Sequence, residues 1–353
     1  MGSIILDCDL MRFPNSGLYQ YCLNLGLHVN DLLVQEGLPK MVFYVPPKEK
    51  HAFGDNNKVI VEKKHHRFFK PFLWDCKIWH APFQSGRVIP KREKNIRVVL
   101  TIHDLNALHE GKPLKEQKES LARTQHLINR SNAIVCISEF CKSDVLKNCD
   151  VGNKPIYVIH NGTHKVGDPV LSPSSYKPQR PFLFSIGYVN QKKNFHTLLP
   201  LLEHNPDIEL VVAGYLDEPD YVSFMLKQAK GKKIDHRLHI LGPVSENDKA
   251  WYMKYCHAYV HPSLAEGFGA TVVETMAFGK PLFLSDLTSL PEIGGNVAFY
   301  FKNFHPEHMN EVYHAGMNAY SVNGLSQKII ARGQQFQWKE KAKQYVSLYQ
   351  SLL

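Results

Sequence analysis

Short apolar runs alternate with longer stretches of helical spacing along most of this 353-residue chain. This alternation is typical of α/β domains with a mostly parallel sheet. The chain is longer than one ordinary core requires, so two domains are expected. In the first half, the pattern predicts strands at Ser3–Leu6, Met41–Val45, Ile78–His80, Val98–Ile102, Ala133–Ile137 and Ile156–Val158, and helices at Leu18–Asn30 and Lys115–Asn129.

The second half repeats the alternation and ends in an amphipathic helix at Trp338–Leu353. Residues 169–180 are rich in proline and serine and have no periodicity, so we expect a linker between a first domain at 1–168 and a second at 181–337. Strands of the second domain are predicted at Phe182–Ile186, Ile208–Ala213, Leu238–Leu241, Ala258–His261 and Pro281–Leu284.

The stretch after the predicted strand Ala258–His261 combines glycines with two acids, Glu266 and Glu274. Gly267 and Gly269 allow a tight turn, and helical apolar spacing follows it. The first N–H groups of a helix can bind a phosphate, and carboxylates accept hydrogen bonds from sugar hydroxyls. The segment therefore suits a ligand with a diphosphate and sugars, although either acid taken alone would be an ordinary surface residue.

The sequence Glu266-Gly-Phe-Gly…Glu274 resembles the motif of retaining GT-B glycosyltransferases, in particular glycosyltransferase family 4, also called glycosyl transferases group 1. The resemblance implies an α/β GT-B fold of two Rossmann-like lobes facing a cleft, with helix 338–353 crossing back to the first lobe. It also implies that Glu266 orients the donor sugar and that Glu274 holds the ribose. The turn and helix start, Gly267, Phe268, Gly269, Ala270 and Thr271, would bind the diphosphate.

A second glycine turn follows the predicted strand Phe182–Ile186 and reads Gly187-Tyr-Val-Asn-Gln-Lys-Lys-Asn194. A glycine turn with lysines can hold a diphosphate, although a solvated basic loop also fits these residues. The loop resembles the family's Gly-x-x-x-x-basic-Lys-Asn motif, which assigns Lys193 to the leaving diphosphate. Many relatives carry arginine directly after the glycine, where this chain has Tyr188, so Lys192 is a candidate replacement. Val244, after another predicted strand, is a candidate nucleobase contact, and an ordinary loop explains it equally well.

Three first-domain residues are candidates for the substrate side. His103 follows the predicted strand Val98–Ile102 and can donate a hydrogen bond to a sugar hydroxyl or phosphate. Its His-Asp pair resembles that of the family, which lies beside the transferred sugar. Gly17 matches a family glycine that sugar and phosphate approach closely. His80, at another strand end, is a candidate on the acceptor side or a structural histidine.

The net charge of +9 is concentrated at residues 58–97, where eleven basic and three acidic side chains give +8. Phenylalanine and tryptophan are interleaved there, which suits an anionic membrane surface. Solvated loops are the alternative, and no zinc-finger or RNA-recognition spacing supports nucleic acid. Seven cysteines without a Cys-x-x-Cys pair favour a reducing cytoplasm. We therefore expect a cytoplasmic protein that visits the inner face of the cell membrane.

The resemblance implies a retaining, metal-independent enzyme that moves a hexose, mannose or glucose, to a glycan or lipid-linked acceptor in lipopolysaccharide or O-antigen synthesis. It implies no cofactor, because a GDP- or UDP-hexose is the substrate. Asp7-Cys-Asp9 mimics an Asp-x-Asp metal motif but is interpreted as structural. Two alternatives remain open: a nucleotide-sugar epimerase on the same fold, and a catalytically silent scaffold.

Overall fold

The chain forms two compact units in the computed structural model, which describes residues 3–14, 16–67, 73, 75–84, 89–90, 95–163, 167–322 and 324–353. The first unit comprises Met1–His164 and Phe336–Leu353, and the second comprises Lys165–Gln335. The predicted linker 169–180 lies within the second unit. There the Ser174 hydroxyl and N–H bind the Asp248 carboxylate, and the Tyr176 N–H binds the Tyr252 hydroxyl.

A parallel sheet forms the centre of the first unit, with the order β3-β2-β1-β4-β5-β6-β7 in the part that the structure describes. The chain order reverses between β1 and β4, which are adjacent. Ligands of doubly wound folds bind at such a reversal, beyond the carboxyl ends of the strands. The elements are β1 Ser3–Asp7, α1 Gly17–Gln35, β2 Val42–Val45, β3 Lys58–Val61, β4 Cys76–Ala81, β5 Arg97–Ile102, α2 Leu114–Arg130, β6 Ala133–Cys136, α3 Glu139–Asn148 and β7 Ile156–Val158.

The second unit repeats this arrangement around a parallel sheet of order β10-β9-β8-β11-β12-β13, again counted over the described residues. Its reversal lies between β8 and β11. The elements are β8 Phe182–Ile186, α4 Leu199–His204, β9 Glu209–Ala213, α5 Pro219–Gly231, β10 Leu238–Ile240, α6 Glu246–Tyr255, β11 Ala258–His261, α7 Ala270–Met276, β12 Leu282–Ser285, α8 Leu290–Gly294, β13 Phe299–Phe301, α9 Pro306–Val322 and α10 Leu325–Gln334.

The final helix, α11 (Trp338–Leu352), belongs to the first unit and packs against α1. Its predicted apolar stripe is buried, since Trp338, Ala342, Tyr345 and Tyr349 are each at most 3% exposed. The Tyr345 hydroxyl lies 2.6 Å from the Tyr21 hydroxyl of α1. The prediction that the last helix joins the first lobe is thus confirmed.

The predicted strands are all present, and the pattern missed two more, β3 and β13. Both are short, partly exposed strands at sheet edges. Prediction from apolar runs succeeds for central parallel strands because both faces of these strands are covered. Of the four edge strands in the described sheets, β7 and β10 were predicted and β3 and β13 were missed.

Candidate functional site

The reversal of strand order in the second unit brings the two glycine turns together. The Gly187–Asn194 turn follows β8, and the turn that holds Glu266 follows the adjacent strand β11. The Leu264 N–H donates to the Lys192 carbonyl at 2.9 Å, which joins the turns directly. Two segments more than 70 residues apart in sequence therefore form one polar site at the carboxyl ends of their strands.

Glu266 lies at the centre of this site. Its carboxylate contacts the Lys193 ammonium, and Oε1 accepts a hydrogen bond from His261 Nε2 at 2.8 Å. The Thr288 hydroxyl accepts from the Glu266 N–H at 2.9 Å, and the Ser289 hydroxyl donates to its carbonyl at 2.9 Å. The position of the carboxylate is thus fixed through both its side chain and its backbone.

The charges at the centre of the site follow from burial and from these partners. Burial raises the pKa of Glu266, but the Lys193 ammonium and the His261 hydrogen bond outweigh it and hold the pKa well below its usual value. Burial lowers the pKa of His261 despite the nearby carboxylate. At neutral pH the site therefore contains an ionised Glu266 and a neutral His261 that donates through Nε2.

Glu274 lies in the middle of α7 and is 6% exposed. Its Oε2 is 3.3 Å from the ammonium of Lys249, a buried lysine on α6. The sequence interpretation missed Lys249. The only sequence signal for it is a lysine among the inward-facing positions of α6, next to the buried Ala250 and Trp251.

The turn and helix start between the two glutamates adopt the predicted conformation. Gly269 has φ 96°, a backbone conformation that favours glycine, and a Cβ there would displace the Leu290 methyl group at 2.9 Å. Gly267 and Phe268 are buried, whereas Ala270, the first residue of α7, is exposed. Thr271 Oγ1 accepts a hydrogen bond from the Tyr259 hydroxyl at 2.8 Å.

Tyr188 directly follows Gly187, where the resemblance led us to expect an arginine. It is 42% exposed and packs edge-on against Tyr215, which is 59% exposed, with ring centroids 5.8 Å apart. A Cβ on the preceding Gly187 would lie 3.1 Å from Lys193 Cε, so this glycine allows the lysine to cross the turn. Tyr215 was not predicted. Lys192 and Val244 are both partly buried.

His103 directly follows β5 and is 6% exposed. Burial lowers its pKa to about 4, and Nε2 lies 2.8 Å from the Pro82 carbonyl. A neutral ring that donates through Nε2 has Nδ1 as an acceptor. His103 therefore has no N–H left for the donation to a phosphate that the sequence led us to expect. Its Nδ1 could instead accept a hydrogen bond from a sugar hydroxyl.

Gly17 begins α1, after the N-cap Ser16. It has no positive φ, and a Cβ there would meet nothing within 4 Å. Neither the backbone nor the packing of the chain requires glycine at this position. A ligand that came close to the start of α1 would be a reason for glycine here, because it would occupy the space of a Cβ.

His80 lies in the core of the first unit and is fully buried. Its Nδ1 is 2.6 Å from the Tyr349 hydroxyl and its Nε2 is 2.8 Å from Thr101 Oγ1, so both ring nitrogens are engaged. Burial lowers its pKa to about 3. His80 is therefore not available for direct contact with an acceptor substrate, because α11 packs over β4 and encloses the imidazole ring.

Much of the basic aromatic segment 58–97 lies outside the described residues, including Phe68, Phe69, Phe72 and Trp74. Trp79, counted among its aromatics, is fully buried on β4 and takes no part in a surface. Over the ranges that the structure covers, the helices are too short or too polar to span a bilayer.

Comparison with known proteins adds family and fold. The family described as Glycosyl transferases group 1 matches residues 172–313, and Glycosyltransferase Family 4 matches residues 40–164. O-antigen chain mannosyltransferase B of Escherichia coli is 23% identical over 78% of this chain and 74% of its own length. O-antigen chain mannosyltransferase RfbU of Salmonella typhimurium is 23% identical over 57% of this chain and 55% of its own length.

Solved structures share the fold over the whole chain. Sucrose-phosphate synthase of Thermosynechococcus elongatus has a TM-score of 0.80 at 16% identity, covering 100% of this chain and 99% of its own. Anabaena HepE in complex with UDP and glucose has a TM-score of 0.73 at 15% identity and 100% coverage of both chains. The two α/β units, each with its own family match, show that this chain is an enzyme of glycosyltransferase family 4 with the GT-B fold.

Proposed function

We propose that this enzyme moves a hexose from a nucleotide-sugar to a glycan or lipid-linked acceptor, with retention of anomeric configuration and without a metal ion. The setting would be cell-surface polysaccharide synthesis. Mannose is favoured because two relatives are named O-antigen chain mannosyltransferases, and glucose is the alternative. The donor nucleotide would be GDP or UDP, the latter being bound in HepE.

The observation that carries the proposal is the contact of Lys193 with Glu266 at the β8–β11 reversal. An ammonium has three N–H donors, so pairing with one carboxylate does not exhaust it. A leaving diphosphate gains negative charge as the glycosidic bond breaks. A cation already fixed beside the reacting sugar stabilises that charge without reorganisation.

The remaining groups would bind the rest of the donor. Glu266, kept ionised, would accept from hydroxyls of the transferred sugar, and Glu274 from the ribose. The first N–H groups of α7, at Ala270 and Thr271, have no acceptor within their own helix and would bind phosphate oxygens. His103 would accept a sugar hydroxyl through Nδ1. In this scheme the leaving phosphate deprotonates the acceptor hydroxyl, so no protein nucleophile is needed.

The test is nucleotide release from GDP-mannose, GDP-glucose, UDP-glucose and UDP-galactose, with and without candidate acceptors. The proposal expects release that depends on an acceptor, a product with the donor's anomeric configuration by NMR, and no loss with EDTA. An inverted product would refute retention, and loss with EDTA would refute metal independence.

The same assay separates the alternatives. An epimerase would release nucleotide without an acceptor and convert the sugar itself. A silent scaffold would bind nucleotide, measured by thermal shift, without turnover. Glu266→Ala should abolish transfer, and wild-type turnover in that variant would remove the site assignment.

Association with the inner membrane face is a separate part of the proposal, based on the charge of residues 58–97. It predicts co-sedimentation with anionic liposomes that weakens as salt rises, because exposed charges are screened within about 10 Å at 0.1 M salt. Binding that is absent or independent of salt would remove this part.

A further inference from the structure

Each glutamate of the Glu266…Glu274 motif has a lysine of its own. Glu266 pairs with Lys193 from the turn after β8, and Glu274 pairs with Lys249 from α6. The proposed function uses Lys193 and gives Lys249 no role. The second pair is the more buried one, because the side chains of Lys249 and Glu274 are 10% and 7% exposed.

The position of Lys249 is set by the start of α6. The Ser245 hydroxyl caps this helix by accepting the Asp248 N–H at 3.0 Å. Lys249 then points inward, and its ammonium lies 2.7 Å from Glu246 Oε2 and 3.3 Å from Glu274 Oε2. The ammonium therefore connects the first turn of α6 with the helix that contains Glu274.

Glu274 lies one turn beyond Ala270 on the same face of α7, because residues four apart in a helix share a face. Ala270 is exposed at the helix start, where the diphosphate is proposed to bind. A nucleoside on that diphosphate would extend past this face. The carboxylate is thus one helical turn from the proposed phosphate site.

A buried ion pair contributes little net stability, because both charges lose their hydration. Burial lowers the pKa of Lys249, but Glu274 and Glu246 outweigh it and raise the pKa. The lysine therefore stays protonated against a carboxylate that it fixes in one place.

We propose that Lys249 is a positioning residue that orients the Glu274 carboxylate and thereby sets selectivity for ribonucleoside over deoxyribonucleoside diphosphates. The inference rests on the proposed function, in which Glu274 binds the ribose. Lys249 acts through Glu274 and need not touch the ligand. A carboxylate held on one side by an ammonium presents its acceptor lone pairs to the neighbouring hydroxyls in a fixed direction.

The experiment compares the Kd of GDP with that of 2′,3′-dideoxy-GDP, and of UDP with its dideoxy analogue, by calorimetry. Hydrogen bonds to a charged group predict a preference of about 10- to 100-fold for the ribonucleotide in the wild-type enzyme. Lys249→Met should bring the ratio close to one by weakening the ribonucleotide alone. A wild-type ratio in Lys249→Met would overturn the inference.

Three further variants separate positioning from folding. Glu246→Gln removes the 60% exposed partner of the same ammonium and should keep the wild-type ratio. Lys249→Arg replaces this test if Lys249→Met does not fold. It keeps the charge but not its geometry, and the ratio of the two Kd values should lie between one and the wild-type ratio. In a Glu274→Gln background, Lys249→Met should change the ratio no further, and an additional change would contradict action through Glu274.

Failure of the inference and failure of the proposed function are distinguishable. If the wild-type enzyme itself shows no ribose preference, the role of Glu274 in the proposed function is wrong. If the wild type and Lys249→Met show the same preference, only the role of Lys249 is wrong. A variant that melts at a lower temperature with an unchanged ratio would identify a merely structural ion pair.

Discussion

Replacing Lys193 by methionine removes the ammonium that faces Glu266 and keeps most of the side-chain volume. The two side chains are 14% and 13% exposed, so solvent screens the remaining carboxylate poorly. Removing one partner of a buried ion pair lowers the unfolding free energy by about 3 to 5 kcal/mol. Because this pair keeps some exposure to solvent, we expect a loss at the lower end, about 3 kcal/mol. Urea denaturation should show this loss of unfolding free energy at pH 7.

The loss should depend on pH in a defined direction. In the wild type, the pKa of Glu266 is well below its usual value, so the folded state binds this proton more weakly than the unfolded chain. The contribution of ionised Glu266 to the unfolding free energy is therefore fully present above the unfolded pKa of about 4.3. It is lost as pH falls below that value towards the folded pKa. Without Lys193, burial should raise that pKa. The stability difference between variant and wild type should therefore shrink as pH falls.

The same variant should lose transfer activity by roughly 100- to 1000-fold in kcat, the usual effect of removing one group that stabilises transition-state charge. Lys232→Met is the matched control. It removes a lysine from a pair with Glu203 in the same unit, 34% and 35% exposed, and should cost under about 1 kcal/mol and leave kcat unchanged. Equal stability loss in both variants, or a difference that is constant between pH 7 and 4, would refute the reasoning.

Other predictions follow from single residues. The pKa values of His80 and His103, about 3 and 4, lie below the unfolded value, so unfolding free energy should fall as pH drops below about 6.5, approaching about 1.4 kcal/mol per unit per histidine. His80→Gln should flatten this slope in urea denaturation, and an unchanged slope would contradict it. Gly269→Ala should lower the unfolding free energy by about 1 to 3 kcal/mol. Gly17→Ala should melt at the wild-type temperature but raise the KM for the donor. A wild-type KM in that variant would show that Gly17 has no role in ligand binding. Tyr188→Arg should tighten nucleoside diphosphate binding by about 10-fold or more in calorimetry, because a hydrogen bond to a charged group contributes about 1.5 kcal/mol or more. The ring that is replaced is exposed and packs against the exposed Tyr215. Weaker binding would show that the tyrosine itself serves the ligand.

The candidate site could be predicted in part. Glu266, Lys193 and the glycine turn were identifiable because residue type and spacing within one loop carry the chemistry. Lys249 and Tyr215 were not, because each acquires its neighbour from a segment distant in sequence. His261 was also missed, although its partner Glu266 lies five residues further along the chain. Whether a histidine near the end of a strand is exposed or enclosed also depends on a distant helix, as α11 shows for His80 of β4.

Local sequence patterns are enough to specify the two α/β units, their central strands and the placement of charged groups beside glycine turns. These features depend on local periodicity and on backbone conformations that only certain residues adopt. Which charged groups pair across distant segments depends instead on the folded arrangement of the chain. Strand order joins the turn after β8 to the turn after β11, and the packing of α6 against α7 gives Glu274 its lysine. Such partners come from segments that are distant in sequence. The burial of both faces of each sheet determines which segments lie side by side, and no local sequence pattern specifies this.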